Sequence, residues 1–297
     1  MDFRQIEYFL AVVEQDGING AAAALGVAQP TVSQSLRGLE RELGVQLFHR
    51  IGRGMVLTAA GRSLVGPSRQ VLRDVTAARD MLTGGSAELA GRLDVMAFPA
   101  LATGIVVDLV ARFRTAHPRV TVQLSELRDE SASATVIRDG HCEFVVAHLP
   151  VDGQDSLEVL ELGEQEYWLV YPEGTDLPDG PLKLSELPDI PMVFVPRGGS
   201  LGDTIEEAIH DAGSRPPLAV IIEHREARLP LVLSGVGGSL MERSVAESVQ
   251  DRAVVRRCDP SLSQAFGLVC DAETLSPVGR AFVDFVRTSL SDKGSET

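Results

Sequence analysis

Polar side chains recur along one side of residues 29–42. They are Thr31, Ser33, Gln34 and Arg37. Hydroxyl, amide and guanidinium groups of this kind hydrogen-bond base edges and phosphates when they lie in a DNA groove. The other side of the stretch carries Val32, Leu36, Leu39 and Leu43, at the spacing of one apolar helix face. This pattern predicts either a DNA-reading helix or an ordinary amphipathic surface helix, so the neighbouring segments must decide between them.

Two shorter helical patterns precede this stretch. One covers residues 2–16, and the second covers 19–25, with Asn19 as its N-cap and an alanine run that permits close helix packing. A glycine-containing turn over 26–28 then leads into the polar helix, which has proline in its first turn. Two helices joined by about four residues that include a glycine predict a helix-turn-helix.

A basic hairpin follows the polar helix. Short strands over 46–49 and 55–58, joined by a turn at 52–54, predict a wing beside the helix-turn-helix. Arg50 and Arg53 would then face phosphates or the minor groove, and the alternative is a solvated basic turn.

A long helix over 59–83, with Thr58 as its N-cap, comes next. Its apolar residues have a heptad-like spacing and are Leu64, Val71, Val75, Ala78 and Leu82. Because no neighbouring sequence supplies a partner helix, the seam predicts a dimer. The pair at 66–67, Gly-Pro, predicts that this helix kinks or splits, and glycines at 84–85 mark a domain boundary.

Composition bounds the class of protein. The chain has 297 residues, of which 44% are hydrophobic and 23% charged, which is typical of two or three globular units. No apolar run approaches the roughly 20 residues needed to span a bilayer, and the N-terminus has no signal-peptide pattern. The three cysteines form no CxxC pair. We therefore expect a cytoplasmic protein without membrane contact. The net charge of −15 falls on residues 91–297, whereas 29–62 carry a local excess of basic residues.

The second half alternates short β-rich runs with helical patterns. The predicted strands are 92–97, 120–125, 143–147, 166–171, 192–195, 218–222 and 266–270. The predicted helices are 103–116, 131–139, 203–212, 226–234, 242–248 and 276–290. This alternation predicts a mostly parallel α/β architecture, in which ligands bind at the carboxyl ends of strands.

Residues that follow those strands are the candidates for a ligand site. They are Phe98, Pro99, Ala100, Arg128, His148, Arg197, Gly199, Ser200, Leu201 and His224. The segment 197–200 has the best chemistry, because its glycines let backbone N–H groups approach a ligand and Arg197 can grip a carboxylate. We therefore expect a small anionic effector there; the alternative is that Ser200 only caps its helix.

Catalytic and metal-binding patterns are absent from the sequence. The six histidines form no HxxxH or HExxH pair, and no Ser-His-Asp or Cys-His arrangement presents itself. We predict no enzyme activity, no metal and no cofactor. Cys258 and Cys270 leave open a redox-sensitive binding or sensor protein as an alternative.

Residues 1–66 resemble the N-terminal domain of LysR-type transcriptional regulators. The pieces FRQIEYFLAVVE, AAAALGVAQPTVSQSLRGLERELGVQLFHR and LTAAG follow that family's pattern in order and spacing, and the layout of 91–297 is similar. The resemblance implies an α+β multidomain chain with a winged helix-turn-helix over 1–58 and a dimerising linker helix over 59–88. It also implies a periplasmic-binding-protein-like α/β effector domain over 91–297, with subdomain I at 91–162 plus 267–297 and subdomain II at 163–266.

The resemblance also implies roles for single residues. Those on the recognition helix are Gln29, Pro30, Thr31, Ser33, Gln34 and Arg37, and those on the wing are Arg50 and Arg53. The family often has a basic or polar residue where this chain has Gly20, so a phosphate contact from the second helix is not carried over. The expected partners are double-stranded DNA with inverted half-sites, a small effector and a second copy of the chain in a dimer or tetramer. RNA polymerase is a further partner that such a regulator could contact.

Overall fold

The N-terminal part of the chain is a winged helix-turn-helix. The computed structural model describes residues 1–51, 54–83, 89–195 and 208–294. The first elements are helices α1 (Phe3–Glu14), α2 (Ile18–Leu25) and α3 (Gln29–Leu43) and strands β1 (Phe48–Ile51) and β2 (Gly54–Leu57). The two strands pair antiparallel as the predicted wing. Asp2 begins the domain by capping α1 in a capping box with Gln5.

The apolar side of α3 anchors this domain. Val32, Leu36 and Leu39 are at most 3% exposed, as predicted for the packed face. Leu43 was expected to continue this face, but it is 38% exposed because α3 ends there. The expected cap of α2 is also wrong: the helix begins at Ile18, one residue before Asn19, without a side-chain cap.

Helix α4 (Ala59–Thr83) follows the wing as one uninterrupted helix. The hydroxyl of Thr58 accepts a hydrogen bond from the amide of Gly61 at 2.9 Å, which confirms the predicted N-cap. Of the predicted kink or split at 66–67, the split is wrong, since Pro67 lies inside the helix, and the kink stays a prediction. Leu64 and Val71 of the predicted dimer seam pack on the helix-turn-helix core of their own chain, and this packing holds the helix through the proline.

The second half of the chain is built on a central sheet. Its strands and the short strands beside it are β3 (Ala90–Ala97), β4 (Arg119–Glu126), β5 (Phe144–His148), β6 (Glu158–Pro172), β7 (Leu182–Lys183), β8 (Met192–Phe194), β9 (Leu218–Ile221), β10 (Ser239–Glu242) and β11 (Ala253–Cys270). The central order is β10-β6-β11-β5-β3-β4, with β7 beside β11, and β8 and β9 form a separate parallel pair.

This sheet is mixed, so the expected mostly parallel architecture is wrong. β3 runs parallel to β4 and β5, but β11 is antiparallel to β5 and β6, and β10 is antiparallel to β6. The reason is the length of β6 and β11, which were predicted only at one end each. They pair with each other from Ala253–Pro172 to Cys270–Glu158. Register shifts lie between Arg257 and Leu262 and between Phe266 and Gly267.

Helices cover the sheet. They are α5 (Ile105–Ala116), α6 (Ser133–Arg138), α7 (Arg228–Leu233), α8 (Arg243–Glu247) and α9 (Pro277–Gly294). Of the helix predicted at 203–212, residues 208–211 are helical and the earlier part lies outside the described residues. The largest core lies under the sheet and includes Phe113, Phe144 and Phe282, whose rings meet edge to face. Among the described helices, none combines the length and the apolar character needed to cross a membrane.

Candidate functional site

The exposed side of α3 carries most of the residues expected to read DNA. Gln29, Pro30, Thr31, Gln34 and Arg37 are all exposed. The expected exposure of Ser33 is wrong: it is 8% exposed and lies on the packed side, next to Val32. The predicted DNA-reading residues that are exposed on α3 are therefore those of its first turn together with Gln34 and Arg37. On the wing, the side chain of Arg50 and the whole of Arg53 lie outside the described residues.

A cleft lies between the end of β3 and the segment that contains α7, β10 and α8. It encloses about 350 Å³. One wall is formed by Pro99, Ala100 and Thr103, which follow β3. The other wall contributes Arg225, Glu226, Arg228, Leu229, Met241, Glu242, Ser244 and Val245. Pro99 and Ala100 were predicted as site residues, and the structure places both on this cleft.

Two arginines on the second wall differ in how they are paired. Arg228 forms two hydrogen bonds to Glu242, at 2.8 and 2.9 Å, and donates a third to the carbonyl of Leu240. Its charge is therefore already neutralised by a bidentate partner. Arg225 has a buried Nη1 atom without a hydrogen-bond partner. Burial, and next the charge of Arg228, lower the pKa of Arg225, as expected for a cation that has lost water without gaining a counter-ion.

Phe98 connects Arg225 to a buried polar chain. The guanidinium carbon of Arg225 lies 4.4 Å from the centre of the Phe98 ring, within the range of a cation–π contact. The ring of His148 meets Phe98 edge-on, with the centroids 5.6 Å apart. Phe98 is thus fixed between the two side chains and holds Arg225 across the cleft.

His148 is held by hydrogen bonds on both ring nitrogens. Its Nδ1 lies 2.8 Å from Glu130 Oε1, and its Nε2 lies 3.0 Å from the Tyr167 hydroxyl. The same carboxylate oxygen accepts the backbone N–H of His148 at 2.8 Å. In the tautomer that carries the ring proton on Nδ1, the imidazole donates to Glu130 and the Tyr167 hydroxyl donates to Nε2. The imidazole is fully buried, so it supports Phe98 instead of meeting a ligand directly.

Two of the predicted effector contacts do not reach the cleft. The side chain of Arg128 is 87% exposed, with Glu126 at 3.9 Å. The side chain of His224 is 81% exposed, with Glu226 at 3.7 Å. Both residues follow a strand, but they lie in irregular segments from which the side chain points into solvent. The predicted contacts Arg197, Gly199, Ser200 and Leu201 lie outside the described residues.

The sequence-based prediction missed Arg225 and Arg228. These two arginines stand three residues apart, directly after the predicted strand at 218–222, and so occupy neighbouring positions on one helical turn. A basic pair at helical spacing after a strand end was the available signal. What the sequence did not contain was the position of Glu242, which neutralises one member of the pair and leaves the other open.

Comparison with known proteins identifies the two halves. A family model described as "LysR substrate binding domain" matches residues 86–291, and one described as "Bacterial regulatory helix-turn-helix protein, lysR family" matches residues 3–62. The chain belongs to the LysR family. It is a LysR-type transcriptional regulator with a DNA-binding helix-turn-helix and an effector-binding domain.

Individual relatives span almost the whole regulator. The transcriptional regulator TcbR of Pseudomonas sp. (strain P51) is 29% identical over 300 residues, covering 98% of this chain and 100% of TcbR. The crystal structure of full-length CbnR complexed with its target DNA is 25% identical, with a TM-score of 0.67 and coverage of 97% and 100%. A full-length OxyR variant from Pseudomonas aeruginosa is similar in fold, with a TM-score of 0.72 at 20% identity and coverage of 97% and 98%.

The cysteines of the regulator do not favour the redox alternative. Cys142, Cys258 and Cys270 are reduced and at most 5% exposed. Burial raises the pKa of each thiol to about 12. Because the thiolate is the reactive form, these three side chains behave as small core residues at neutral pH.

Proposed function

We propose that this LysR-type regulator is controlled by a small carboxylate with an apolar body, bound in the cleft beside Arg225. The observation that carries this proposal is the buried Nη1 of Arg225, which has no partner, next to Arg228, which already has one. A carboxylate would supply the missing charge-assisted hydrogen bonds. Most of the remaining lining is apolar and comes from Pro99, Leu229, Met241 and Val245, which suits a hydrocarbon or aromatic body.

The effector would act by favouring a closed cleft. Phe98 and Pro99 come from the segment after β3, whereas Arg225 comes from the segment before α7, so a ligand that contacts both walls binds the closed form better than the open form. Differential affinity of this kind shifts the population between the two forms. The proposed subdomains, 91–162 plus 267–297 and 163–266, would move about β6 and β11, and the register shift at Gly267 supports that position for the hinge.

On the DNA side, we propose that the domain over 1–58 reads double-stranded DNA through Gln29, Pro30, Thr31, Gln34 and Arg37, with Arg50 and Arg53 on the wing. Helix α4, within the linker 59–88, would pair two copies of the chain, so that the operator has inverted half-sites. The same proposal includes assembly into a tetramer, contact with RNA polymerase and action in the cytoplasm. Ser33 is left out of the reading surface because it is buried.

Calorimetry on the full-length protein tests the effector assignment. Aliphatic and aromatic carboxylates are screened by thermal shift, and the best ligand is titrated into wild-type, Arg225→Gln and Arg112→Gln protein. Arg112 is a half-exposed arginine of the same domain, paired with Asp108 at 3.5 Å, and serves as the matched control. We expect affinity to fall at least about tenfold in Arg225→Gln and to be unchanged in Arg112→Gln. Equal affinity in wild type and Arg225→Gln would rule out the assignment.

DNase footprinting tests the DNA side separately. Purified wild-type protein should protect a site with inverted half-sites upstream of the neighbouring gene, whether or not the effector has been identified. Absence of any protected inverted repeat there would contradict the proposed operator symmetry while leaving the cleft assignment intact.

A further inference from the structure

A second cavity lies where the three parts of the chain meet. It encloses about 360 Å³ between α1 of the DNA-binding domain, the linker helix α4 and the nearest edge of the effector domain. Its charged lining residues are Glu14, Arg69, Arg73, Arg92 and Asp94. None of them lines the cleft that contains Arg225, so this cavity, which we name the junction cavity, is a separate site.

The charges of the junction cavity are unevenly paired. Arg92 is matched by Asp94, with Nε and Oδ1 2.6 Å apart. Arg73 donates from Nη1 to the carbonyl of Gly140 at 3.1 Å and from Nη2 to Gln70 at 2.6 Å, but its buried Nε has no partner. Once the Arg92–Asp94 pair is set aside, the cavity retains two guanidinium groups and one carboxylate.

Arg69 is the least satisfied of these cations. Its Nη1 is buried without a hydrogen-bond partner, and within the described parts of the chain no carboxylate oxygen approaches its nitrogens to ion-pair distance. Burial lowers the pKa of Arg69, while the more distant charges of Glu14 and Asp139 oppose that change and Arg73 adds to it. A guanidinium nitrogen buried without a partner is costly, and a second anion in the cavity would remove that cost.

The framework around the two arginines is rigid. A Cβ placed on Gly66 of α4 would lie 2.7 Å from the carbonyl oxygen of Arg138, and one placed on Gly140 would lie 2.9 Å from the Cα of Gly66. Helix α4 is therefore seated directly on the backbone that follows α6. Because Arg69 and Arg73 are one turn apart on that helix and face the same cavity, their guanidinium groups are positioned before any ligand arrives.

We propose that the junction cavity binds a small oxyanion, through a carboxylate or phosphate group held by Arg69 and Arg73. The bound anion would lie between α1, α4 and the effector domain and would fasten the linker helix to that domain. Its occupancy would therefore change how readily α4 moves relative to the effector domain, independently of the ligand in the cleft. The site goes beyond the proposed effector cleft and does not depend on it.

Anion titrations of the full-length protein test the site. Sodium phosphate and sodium citrate are titrated separately into the protein by calorimetry, with chloride adjusted to hold the ionic strength constant. We expect saturable binding of at least one of the two probes, and which probe binds identifies the acceptor group. We expect the affinity to fall about tenfold or more in Arg69→Gln. Unchanged affinity in Arg69→Gln would overturn the proposal.

Two further variants keep the result interpretable. Gln123 lines the cavity from the exposed edge strand β4, so Gln123→Phe should fill the cavity and abolish binding without removing a charge, even where Arg69→Gln fails to fold. Arg112→Gln, away from both cavities, should bind the anion as wild type does.

Binding that is lost in Arg225→Gln but kept in Arg69→Gln would place the anion in the effector cleft and overturn the junction site. Absence of saturable binding of both probes would show that the cavity holds only water, and would overturn it too.

Discussion

Gly66 in the linker helix and Gly140 after α6 are in direct backbone contact. A Cβ on Gly140, which has a φ of +65°, would lie 2.9 Å from both the Cα and the carbonyl oxygen of Gly66. Both positions therefore exclude any larger side chain, for Gly140 also because its backbone conformation is left-handed. The contact joins the linker to the effector domain through main-chain atoms, which cannot move aside as a flexible side chain could.

Replacing Gly66 by alanine should destabilise the protein, although alanine has a higher helix propensity than glycine. In an exposed helix interior, Gly→Ala stabilises by about 1 kcal/mol. In Gly66→Ala the new methyl would meet the carbonyl oxygen of Arg138 at 2.7 Å, so we expect a lower melting temperature, with a cost of about 1–3 kcal/mol. Gly38→Ala is the matched control, because the nearest atom is the flexible end of Gln5 at 3.4 Å. Equal melting temperatures for the two variants would contradict the close contact.

Glu143 should make stability depend on pH. It is 3% exposed, its Oε1 accepts the amide of Ser276 at 2.7 Å, and its Oε2 has no partner. Burial raises the pKa of this carboxyl above its ordinary value, although the Ser276 amide and Arg73 oppose the change. The carboxyl of Glu143 therefore holds its proton more tightly in the folded protein than in the unfolded chain. Its stabilising contribution is complete below the unfolded pKa of about 4.3, and it is lost as the pH rises through the folded pKa.

Glu143→Gln should remove that loss. Glutamine keeps an acceptor for the Ser276 amide but carries no charge, so at pH 8 we expect the variant to be more stable than wild type by roughly 1–3 kcal/mol. Chemical denaturation between pH 4 and pH 8 measures the difference, with Glu126→Gln as a control at an exposed carboxylate. A constant difference between Glu143→Gln and wild type across this range would show that Glu143 does not titrate as inferred.

The three thiols should be unreactive in the native protein. With a pKa of about 12 for Cys142, Cys258 and Cys270, about one thiol in 10,000 is ionised at pH 8. We therefore expect no labelling by a disulfide reagent within minutes, and labelling of all three in guanidinium. Thr115→Cys, at an exposed position of α5, should react at once and provides the positive control. Rapid labelling of a wild-type thiol would restore the redox alternative.

Sequence reasoning placed the elements that follow local patterns. The helix-turn-helix, the wing, the Thr58 cap and the strand ends at Pro99 and Ala100 depend on periodicity, caps and turns within a few residues. The mixed sheet could not be predicted in the same way. β6 and β11 are long antiparallel strands whose middle parts are polar and largely outside the core. Each strand therefore has a continuous buried apolar run at one end only, and that run is the part that the sequence pattern marks.

The sequence predicted where along the chain site residues would lie, but not the direction in which their side chains point. Arg128 and His224 follow strands as expected, yet their side chains turn to solvent. Arg225 and Arg228 form a basic pair in the sequence, and only the fold brings Glu242 to Arg228 and Phe98 to Arg225. Ser33 shows the same limit within one helix. A small polar residue beside an apolar stripe fits the buried face as well as the exposed face, so its type did not predict its burial.

The recognition helix yields a prediction that separates reading from packing. Gln34 and Arg37 are exposed on α3, so Gln34→Ala and Arg37→Ala should each weaken operator binding by about 1–3 kcal/mol while leaving the fold intact. Ser33→Ala, at a buried position of the same turn, should retain operator affinity. Gel-shift titration at fixed salt measures all three, and thermal unfolding checks that each variant is folded. If Ser33→Ala lost binding and Gln34→Ala kept it, the side of α3 that faces DNA would have to be reassigned, because the two side chains lie on different faces of the helix.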